Sequence, residues 1–286
     1  MNYIAKKWQA IKLITRLDKP VGIYLLLWPT YWALWVAADG WPSFHLIVVF
    51  TLGVIVMRSA GCIINDFADR HVDGQVKRTQ NRPLVSGLIS STEALIVFGF
   101  LVGVAFALVL TLSWYTIALS FIGLFLAVLY PFCKRFTHLP QVALGAAFSW
   151  GMVMAFAEAK GDIPPVAWLL FAANILWTLV YDTLYAMVDR DDDIQIGVKS
   201  TAILFGQYDK RIIGFLQLMT IALLLTVGEL QAFGWPYQLS LIVCAGLFCY
   251  QQMLITQRNR DQCFKAFINN HYVGLAVFVG IFIEYV

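Results

Sequence analysis

The sequence predicts an all-α polytopic membrane protein, with about nine transmembrane helices around a central cavity that opens on the cytoplasmic side. Its 286 residues are 60% hydrophobic and only 13% charged, with a mean hydropathy of +0.73, whereas soluble domains carry about 25% charged residues. Long apolar runs recur along the chain, and two of them end in clusters of acidic residues. Composition excludes a soluble globular domain, and the acidic clusters point to a site at the ends of membrane helices.

Nine apolar runs are long enough to cross a bilayer as helices, which takes about 20 residues. We expect the chain to form a single transmembrane domain, residues 1–286, with residues 1–20 as an amphipathic cytoplasmic segment before the first span. The predicted spans are 21–38, 44–66, 94–111, 114–131, 140–157, 165–188, 211–230, 237–256 and 270–286.

The positive charges are distributed very unevenly between the two sides of these spans. Of the 20 Lys and Arg residues, all but two fall in segments on one side, the exceptions being Arg58 inside the second span and Lys160 on the other side. Because cytoplasmic loops carry the excess of Lys and Arg, we expect the amino terminus and both acidic clusters in the cytoplasm. Nine spans then place the carboxyl terminus in the periplasm.

Two columns of oxygen-bearing side chains are the main functional signal. Asn65, Asp69 and Asp73 are spaced i, i+4, i+8, which places them on one face if the helix continues. Asp189 and Asp193 repeat the i, i+4 spacing at the end of another span. Facing columns of this kind would hold Mg²⁺ ions with a diphosphate between them, since hard cations prefer oxygen ligands. Solvated helix ends are the alternative, but two such clusters favour a functional site because carboxylates at a membrane are costly.

Several cations accompany the acidic columns. Lys77, Arg78 and Arg82 follow the first column, and Lys199 follows the second. Lys and Arg are natural partners of phosphate oxygens that a metal leaves uncovered, although a solvated loop is the ordinary explanation of such a run. Arg16 leads into the first span, and for this residue taken alone snorkelling to lipid phosphates is the favoured interpretation.

Two charged residues lie well inside predicted spans, away from the span ends. Arg58 precedes Asn65 by seven residues and should point into the cavity below the acidic column or pair with a carboxylate there, a purely structural ion pair being the alternative. Asp182 precedes Asp189 by seven residues, on nearly the same helix face but deeper. Arg135, in a basic and aromatic loop, is either an orientation signal or a ligand for an anionic substrate.

The remaining patterns restrict the class of ligand. No Walker A sequence and no G-x-G-x-x-G occurs, so a nucleotide site is disfavoured, and we expect no nucleic-acid partner. The five cysteines show no zinc-ligand spacing. A metal ion and cations at the mouth of an apolar chamber would bind the diphosphate of a substrate whose long hydrocarbon lies in the chamber. Release of the diphosphate from an allylic substrate gives an allylic cation, which is transferred to an acceptor. The sequence therefore favours prenyl transfer.

The acidic motifs resemble those of a known family. Asn65-Asp66-x-x-Asp69-x-x-x-Asp73 and Asp189-x-x-x-Asp193 are similar to the paired aspartate motifs of the UbiA superfamily of intramembrane prenyltransferases. Residues 130–141 and 181–206 look like those of its members that act on 4-hydroxybenzoate in bacterial ubiquinone biosynthesis. The resemblance implies a Mg²⁺-dependent enzyme of the bacterial inner membrane, surrounded by membrane lipids. It would use a polyprenyl diphosphate and 4-hydroxybenzoate, and would give 3-polyprenyl-4-hydroxybenzoate and diphosphate.

The resemblance also implies roles for individual residues. Those expected to hold the Mg²⁺–diphosphate are Asn65, Asp69, Asp73, Asp189 and Asp193. Those expected to contact the diphosphate are Arg16, Lys77, Arg82 and Lys199. Arg135 would hold the carboxylate of the aromatic acid, with Arg58 as a supporting cavity residue and Asp182 to accept or orient the phenolic proton.

Two other hypotheses stay open at this point. The same family could act on a different acceptor, such as dihydroxynaphthoate, homogentisate, haem or a chlorophyllide, because the fold alone does not fix the acceptor. A transporter of an anionic or lipid-linked substrate would also account for Arg58 and Asp182 inside spans. The lack of an evident inverted repeat and the position of both acidic clusters on one side argue against alternating access.

Overall fold

A computed structural model describes residues 3–133 and 135–286, and within these ranges the regular structure is entirely helical. Single 3₁₀ turns occur at Asp73–Gln75, Gly206–Tyr208 and Ile255–Gln257. The α-helices are α1 Tyr3–Ile14, α2 Val21–Ala37, α3 Phe44–Asp69, α4 Ser91–Val109, α5 Trp114–Cys133, α6 Pro140–Lys160, α7 Pro165–Ile196, α8 Thr201–Phe205, α9 Asp209–Leu230, α10 Trp235–Leu254 and α11 Arg260–Glu284.

The helices confirm the predicted class of fold. Eight helical segments of the described chain are long and apolar enough to cross a membrane. The apolar α2 has 17 residues and is therefore about 26 Å long, near the lower limit for a span. Together these helices correspond to the nine predicted spans. Lys134, one of the cations in the charge count, lies outside the described residues.

Two helices extend well beyond the predicted apolar runs. α7 continues past residue 188 to Ile196, where Gly197 takes a positive φ of 72° and its N–H bonds to the Asp193 carbonyl. α11 begins at Arg260 rather than at residue 270. An apolar-length criterion stops at the first charged residues, but a helix continues into water wherever its backbone bonds remain satisfied. Both extensions lie beside the acidic clusters.

The first acidic column is not one continuous helix, which corrects the prediction. α3 ends at Asp69, whose carbonyl accepts a bond from the Val72 N–H, and Asp73 opens the following 3₁₀ turn. The Thr79 hydroxyl donates to the Asp73 carbonyl at 2.7 Å. These local bonds replace the helical pattern after Asp69, and they turn the chain into the loop that carries the predicted phosphate-binding cations.

The core around α2, α7 and α11 is aromatic and tightly packed. Trp32 and Trp177 are buried, and their ring N–H groups donate to the Gly274 carbonyl and to Asn270 Oδ1, both at 2.9 Å. A Cβ on Gly274 would lie 2.8 Å from the Trp177 ring and 2.9 Å from that of Trp28. Glycine is therefore required where α11 crosses these rings, and α7 is held firmly in place.

A set of hydrogen-bonded amides, which we call the amide network, joins α9, α10 and α11. Gln252 donates to Gln217, Gln217 donates to Gln251, and Gln251 donates to Asn269, at 2.9–3.0 Å. Gln217 and Gln251 are buried. Polar side chains in the apolar part of a bundle are stabilised by such bonds between helices. The network fixes the helices that pack behind α7.

The helix α1 packs against the end of the bundle where α3 ends and α4 begins. Its buried residues Ala10 and Ile14 form a cluster with Ile63 of α3 and Ile89. Lys7 forms an ion pair with Glu93, which also completes a capping box with Ser90 at the start of α4. The segment after α1 is consequently positioned above the space between α3 and α4.

Candidate active site

A cavity of about 1370 Å³ lies among helices α2–α7 and α11. Charged and polar residues line one end, among them Arg16, Asn65, Asp66 and Arg82, and apolar residues of α3–α6 line most of the rest. We call the polar end the mouth. The predicted central cavity therefore exists, and its polar residues come from the end where the predicted cytoplasmic loops converge.

Asp66 is the electrostatic centre of the mouth. Its carboxylate is 2% exposed and accepts two bonds from Arg16 Nη2, at 2.9 and 3.0 Å. Arg82 Nη1 lies 3.0 Å from Asp66 and 2.6 Å from Asp73, so that it bridges the two acids. Burial works against the charge of Arg82, but the two carboxylates outweigh it and raise the pKa of Arg82 above its ordinary value. Arg16 and Arg82, both predicted diphosphate contacts, thus lie together at the cavity.

Arg78 connects the loop after α3 to the second acidic cluster. Its guanidinium bonds to Asp189 at 2.5–3.0 Å and stacks on the Tyr185 ring, 4.4 Å from the centroid. The Lys77 backbone N–H donates to Asp192 at 3.3 Å. Since Arg82 contacts Asp73 and Arg78 contacts Asp189, one loop brings the two acidic motifs to the same mouth. Arg78 was noted as a loop cation, but its link to α7 was not predicted.

The predicted site residues divide into two groups. Those that line the cavity are Arg16, Arg58, Asn65, Arg82 and Asp182. Those that lie around the mouth without lining the cavity are Asp69, Asp73, Lys77, Arg135, Asp189, Asp193 and Lys199. Asp69, Asp73 and Asp189 are buried, and Asp193 is partly buried on α7 one turn after Asp189. The helical i, i+4 relation predicted for the second cluster is confirmed.

Arg58 faces the cavity from α3. Its guanidinium packs so closely on Gly22 of α2 that a Cβ there would clash with it. It lies within electrostatic reach of Tyr130, Tyr181 and Tyr185, and no carboxylate of the described residues forms an ion pair with it. The alternative of a structural ion pair therefore does not hold among these residues, and a cation is presented to the cavity below the mouth.

Arg135 occupies a different environment. It is exposed, donates from Nη2 to the Ala68 carbonyl at 3.0 Å and lies over the Phe132 ring. Lys199 Nζ is 3.4 Å from the Phe136 carbonyl. These contacts tie the loop between α5 and α6 to the end of α3 and to the segment after α7. Arg135 therefore positions loops around the mouth, and it does not line the cavity as Arg58 does.

Asp182 lines the cavity about two turns below Asp189 on α7. Tyr130 and Tyr181 lie within its electrostatic reach, and the Tyr181 hydroxyl bonds to Thr178 at 3.0 Å. The position of Asp182 inside the apolar wall agrees with the prediction from its spacing. An acid, tyrosines and Arg58 thus surround the same part of the cavity.

The oxygen ligands at the mouth suit a magnesium ion that is shared with a substrate. No three His, Cys, Asp or Glu side chains in the described part of the chain lie close enough together to enclose a metal by themselves. Mg²⁺, however, is usually held by one or two carboxylates together with substrate phosphates. The buried acids Asp69, Asp73 and Asp189 are hard oxygen donors of that kind, so the donor chemistry fits.

Two contributors to the mouth are not identified by the sequence. The spacing of Asp66 indicates no function for it, and in the structure its carboxylate holds both Arg16 and Arg82. Arg260 lines the cavity and bonds to Asp191 and Asp192 at 3.0–3.2 Å. Its only signal was its place in a cytoplasmic loop rich in cations. The spacing of residues along one helix does not show which distant segment of the chain will contact that helix.

Comparison with other sequences gives a consistent family assignment. The UbiA prenyltransferase family profile matches residues 26–275. The 4-hydroxybenzoate octaprenyltransferase of Colwellia psychrerythraea is 69% identical over 285 residues, which is 100% of this chain and 99% of the relative. The enzymes of that name from Pseudoalteromonas translucida and Providencia stuartii are 62% and 58% identical, over 95% and 98% of this chain and 93% and 97% of their own lengths.

Solved structures share the fold at low identity. A UbiA homolog from Aeropyrum pernix K1, in its apo form, aligns with a TM-score of 0.81 and 24% identity, over 92% of this chain and 98% of that one. A UbiA homolog from Archaeoglobus fulgidus bound to GPP and Mg²⁺ aligns with a TM-score of 0.71 and 18% identity, over 94% and 99%. At these identities the comparison establishes the helical architecture.

Proposed function

Because the chain belongs to the UbiA prenyltransferase family, we propose that it transfers a polyprenyl group from a polyprenyl diphosphate to 4-hydroxybenzoate, ortho to the phenol. The products are 3-polyprenyl-4-hydroxybenzoate and diphosphate, in the biosynthesis of ubiquinone. The observation that carries this proposal is the full-length similarity, at 58–69% identity, to relatives named 4-hydroxybenzoate octaprenyltransferase. The matched length includes the segments that form the mouth and the cavity.

The mouth would bind the diphosphate. In the proposal the residues that hold Mg²⁺ are Asn65, Asp69, Asp73, Asp189 and Asp193. The metal, when bound, neutralises the diphosphate and stabilises it as a leaving group. Arg16 and Arg82 lie at the cavity, so they are placed to contact phosphate oxygens directly. Lys77 and Lys199 lie farther around the mouth and would add to its positive potential.

The acceptor would lie below the mouth, with its carboxylate on Arg58. The guanidinium is inside the cavity, has no carboxylate partner among the described residues, and is surrounded by tyrosines. A carboxylate is a strong partner for such a cation, because both charges are removed from bulk water. We therefore assign the carboxylate to Arg58 in place of Arg135, which bonds to a backbone carbonyl outside the cavity.

The reaction then follows from the order of these groups along the cavity. The C1–O bond of the allylic diphosphate breaks, and its electron pair leaves with the diphosphate at the mouth. Tyrosine rings such as that of Tyr130 stabilise the allylic cation, and the apolar wall excludes water. The ring carbon ortho to the phenol forms the new C–C bond to C1. Asp182 is placed to hold the phenolic proton or to accept the ring proton that is lost.

The proposal also places the protein in the cell. The apolar helices make it an integral membrane protein, and we propose that the whole chain works as one domain of the bacterial inner membrane. The amino terminus and the mouth would face the cytoplasm, and the carboxyl terminus the periplasm, because the cations are concentrated at the mouth end. Both a soluble aromatic acid and a membrane-held isoprenoid could then reach the cavity.

The direct test is an assay of the purified protein in lipid bilayers with Mg²⁺, labelled 4-hydroxybenzoate and octaprenyl diphosphate. We expect a labelled, lipid-soluble product and stoichiometric release of diphosphate. Chelation of the metal should stop the reaction and added Mg²⁺ should restore it. Parallel reactions with dihydroxynaphthoate and homogentisate provide the comparison, and faster turnover of either would show that the acceptor assignment is wrong.

A further inference from the structure

The cavity is long in the direction of the helix axes. On α3 its lining begins at Asn65 in the mouth and continues through Gly61 and Gly53 to Val49. At 1.5 Å per residue this wall is about 24 Å long. A diphosphate in the mouth would therefore direct its hydrocarbon tail along α3 toward the opposite end of the bundle.

Four glycines form part of the wall along this path. Gly53 and Gly61 belong to α3, and Gly99 and Gly103 belong to α4, where the i, i+4 spacing puts them on one face. A Cβ built on any of the four would meet no other heavy atom within 4 Å. The space in front of each glycine is consequently open cavity.

Close packing does not account for these glycines, as it does for others in the chain. A Cβ on Gly123 would lie 2.9 Å from the Trp150 ring, and one on Gly274 would meet two tryptophans. Glycine weakens the interior of a helix relative to alanine, and at Gly53 and Gly103 no neighbouring atom requires it. What these positions provide is room in the cavity.

We propose that Gly53 and Gly103 determine the length of isoprenoid tail that the cavity accepts. Each is the member of its pair farther from the mouth, because α3 ends at the mouth and α4 begins there. A larger side chain at either position would fill the path at a depth that a short tail does not reach and a long tail must pass. This inference rests on the proposed function, since it takes the tail of a polyprenyl diphosphate as the occupant.

The test compares Gly53→Leu and Gly103→Leu with the wild-type protein in lipid nanodiscs. Geranyl and octaprenyl diphosphates are supplied separately with Mg²⁺ and 4-hydroxybenzoate. The ratio of kcat/KM for octaprenyl to that for geranyl diphosphate should fall about tenfold or more, as steric discrimination in apolar pockets allows. The matched control is Gly246→Leu on α10, where a Cβ also meets nothing within 4 Å but which does not line the cavity. Its ratio should equal that of the wild type.

Two further measurements keep the test decisive. The series Gly→Ala, Gly→Val and Gly→Leu at position 103 should lower the octaprenyl-to-geranyl ratio in order of side-chain size. If one of these variants does not fold, the trend can be read from the others. Binding of the two diphosphates without acceptor, measured by calorimetry, should show the same selective loss for octaprenyl. A wild-type ratio in all folded variants, in turnover and in binding, would overturn the role of these glycines. Failure of the wild type to prenylate 4-hydroxybenzoate would instead refute the proposed function, while the binding ratio would still test the inference.

Discussion

Two buried aspartates are each paired with arginine, but only one of them lies at the candidate active site. Asp189 is held by Arg78 at the mouth, whereas Asp209 is fully buried between Arg190 and Arg258, away from the cavity lining. The hydrogen bond to Asp209 raises the pKa of Arg258 above its ordinary value. We interpret the first pair as part of the site and the second as a link between α7, α9 and the segment before α11.

Asp189→Asn should therefore lower turnover, whereas Asp209→Asn should act on stability alone. The first removes a hard anionic ligand, so turnover of the folded protein should fall at least about a hundredfold, and it also weakens the pair with Arg78. The second leaves two arginines facing a neutral amide and should lower the free energy of unfolding by about 2 kcal/mol. This is less than the cost of breaking a fully buried ion pair, because both arginines are partly exposed to solvent. The measurements are turnover at saturating Mg²⁺ and unfolding in mixed micelles. Full activity of a folded Asp189→Asn protein would contradict the metal assignment.

The assignment of the aromatic carboxylate is tested by comparing two arginines. Arg58→Ala should raise the KM for 4-hydroxybenzoate far more than that for the polyprenyl diphosphate, and it should reduce the preference for the acid over its uncharged amide. Loss of a buried charged partner corresponds to about tenfold or more in KM. Arg135→Ala is the matched control, since this arginine lies outside the cavity lining. If Arg135→Ala alone removes the preference for the acid, the carboxylate binds at Arg135.

Single residues also show where sequence reasoning succeeds and where it stops. Asp182 and Arg58 were predicted to face the cavity because their spacing from Asp189 and Asn65 fixes a helix face, and both line it. Asp66 was left without a role, because its partners Arg16 and Arg82 come from separate segments. Helical periodicity locates a side chain on its own element only. Contacts between distant segments depend on packing that no local spacing encodes.

At the scale of secondary structure, the amide network is expected to contribute to the packing of α9–α11. Gln251→Leu removes one donor and one acceptor, so Asn269 loses its partner in the network and Gln217 keeps only the bond that it accepts from Gln252. Hydrogen bonds between membrane helices are typically worth about 0.6 kcal/mol and at most about 2. We therefore expect unfolding in mixed micelles to be easier by about 1 kcal/mol. Gln238→Leu, an exposed position on α10, is the control, and an equal effect there would contradict the role of the network.

The ends of the helices explain the remaining differences from the sequence prediction. The apolar helices of the described residues correspond to the nine predicted spans, because apolar length is a strong signal. The end of α3 differs from the prediction. The chain leaves the helix after Asp69, although the sequence spacing of Asp73 is the one expected of a continuing helix. α7 has the reverse behaviour and continues through its acidic residues to Gly197. Capping and turn bonds, rather than hydrophobicity, decide both cases.

For the whole molecule, the distribution of charge predicts the topology in the membrane. Lys77 and Lys199 should lie in the cytoplasm and Lys160, which pairs with Asp39 at 2.9 Å, in the periplasm. Single cysteines at these positions, in a background without the five native cysteines, can be labelled in intact cells with a membrane-impermeant thiol reagent. Position 160 should react and positions 77 and 199 should be protected. Labelling at position 77 with protection at position 160 would show that the protein has the opposite orientation in the membrane.

The length of α7 has a consequence for the lipid environment of the enzyme. With 32 residues this helix is about 48 Å long, whereas the hydrocarbon layer of a bilayer is about 30 Å thick. A layer of that thickness spans about 20 helical residues, so a helix that enters it at Pro165 leaves it before Asp189 and Asp193, and the height of these acids above the membrane depends on how thick the layer is. Lipids with longer tails would draw the acidic end toward the headgroups, at a cost of fractions of a kcal/mol for each ångström of mismatch. Acyl-chain length thereby becomes a physical control on how readily a water-soluble acid and a lipid-borne isoprenoid meet.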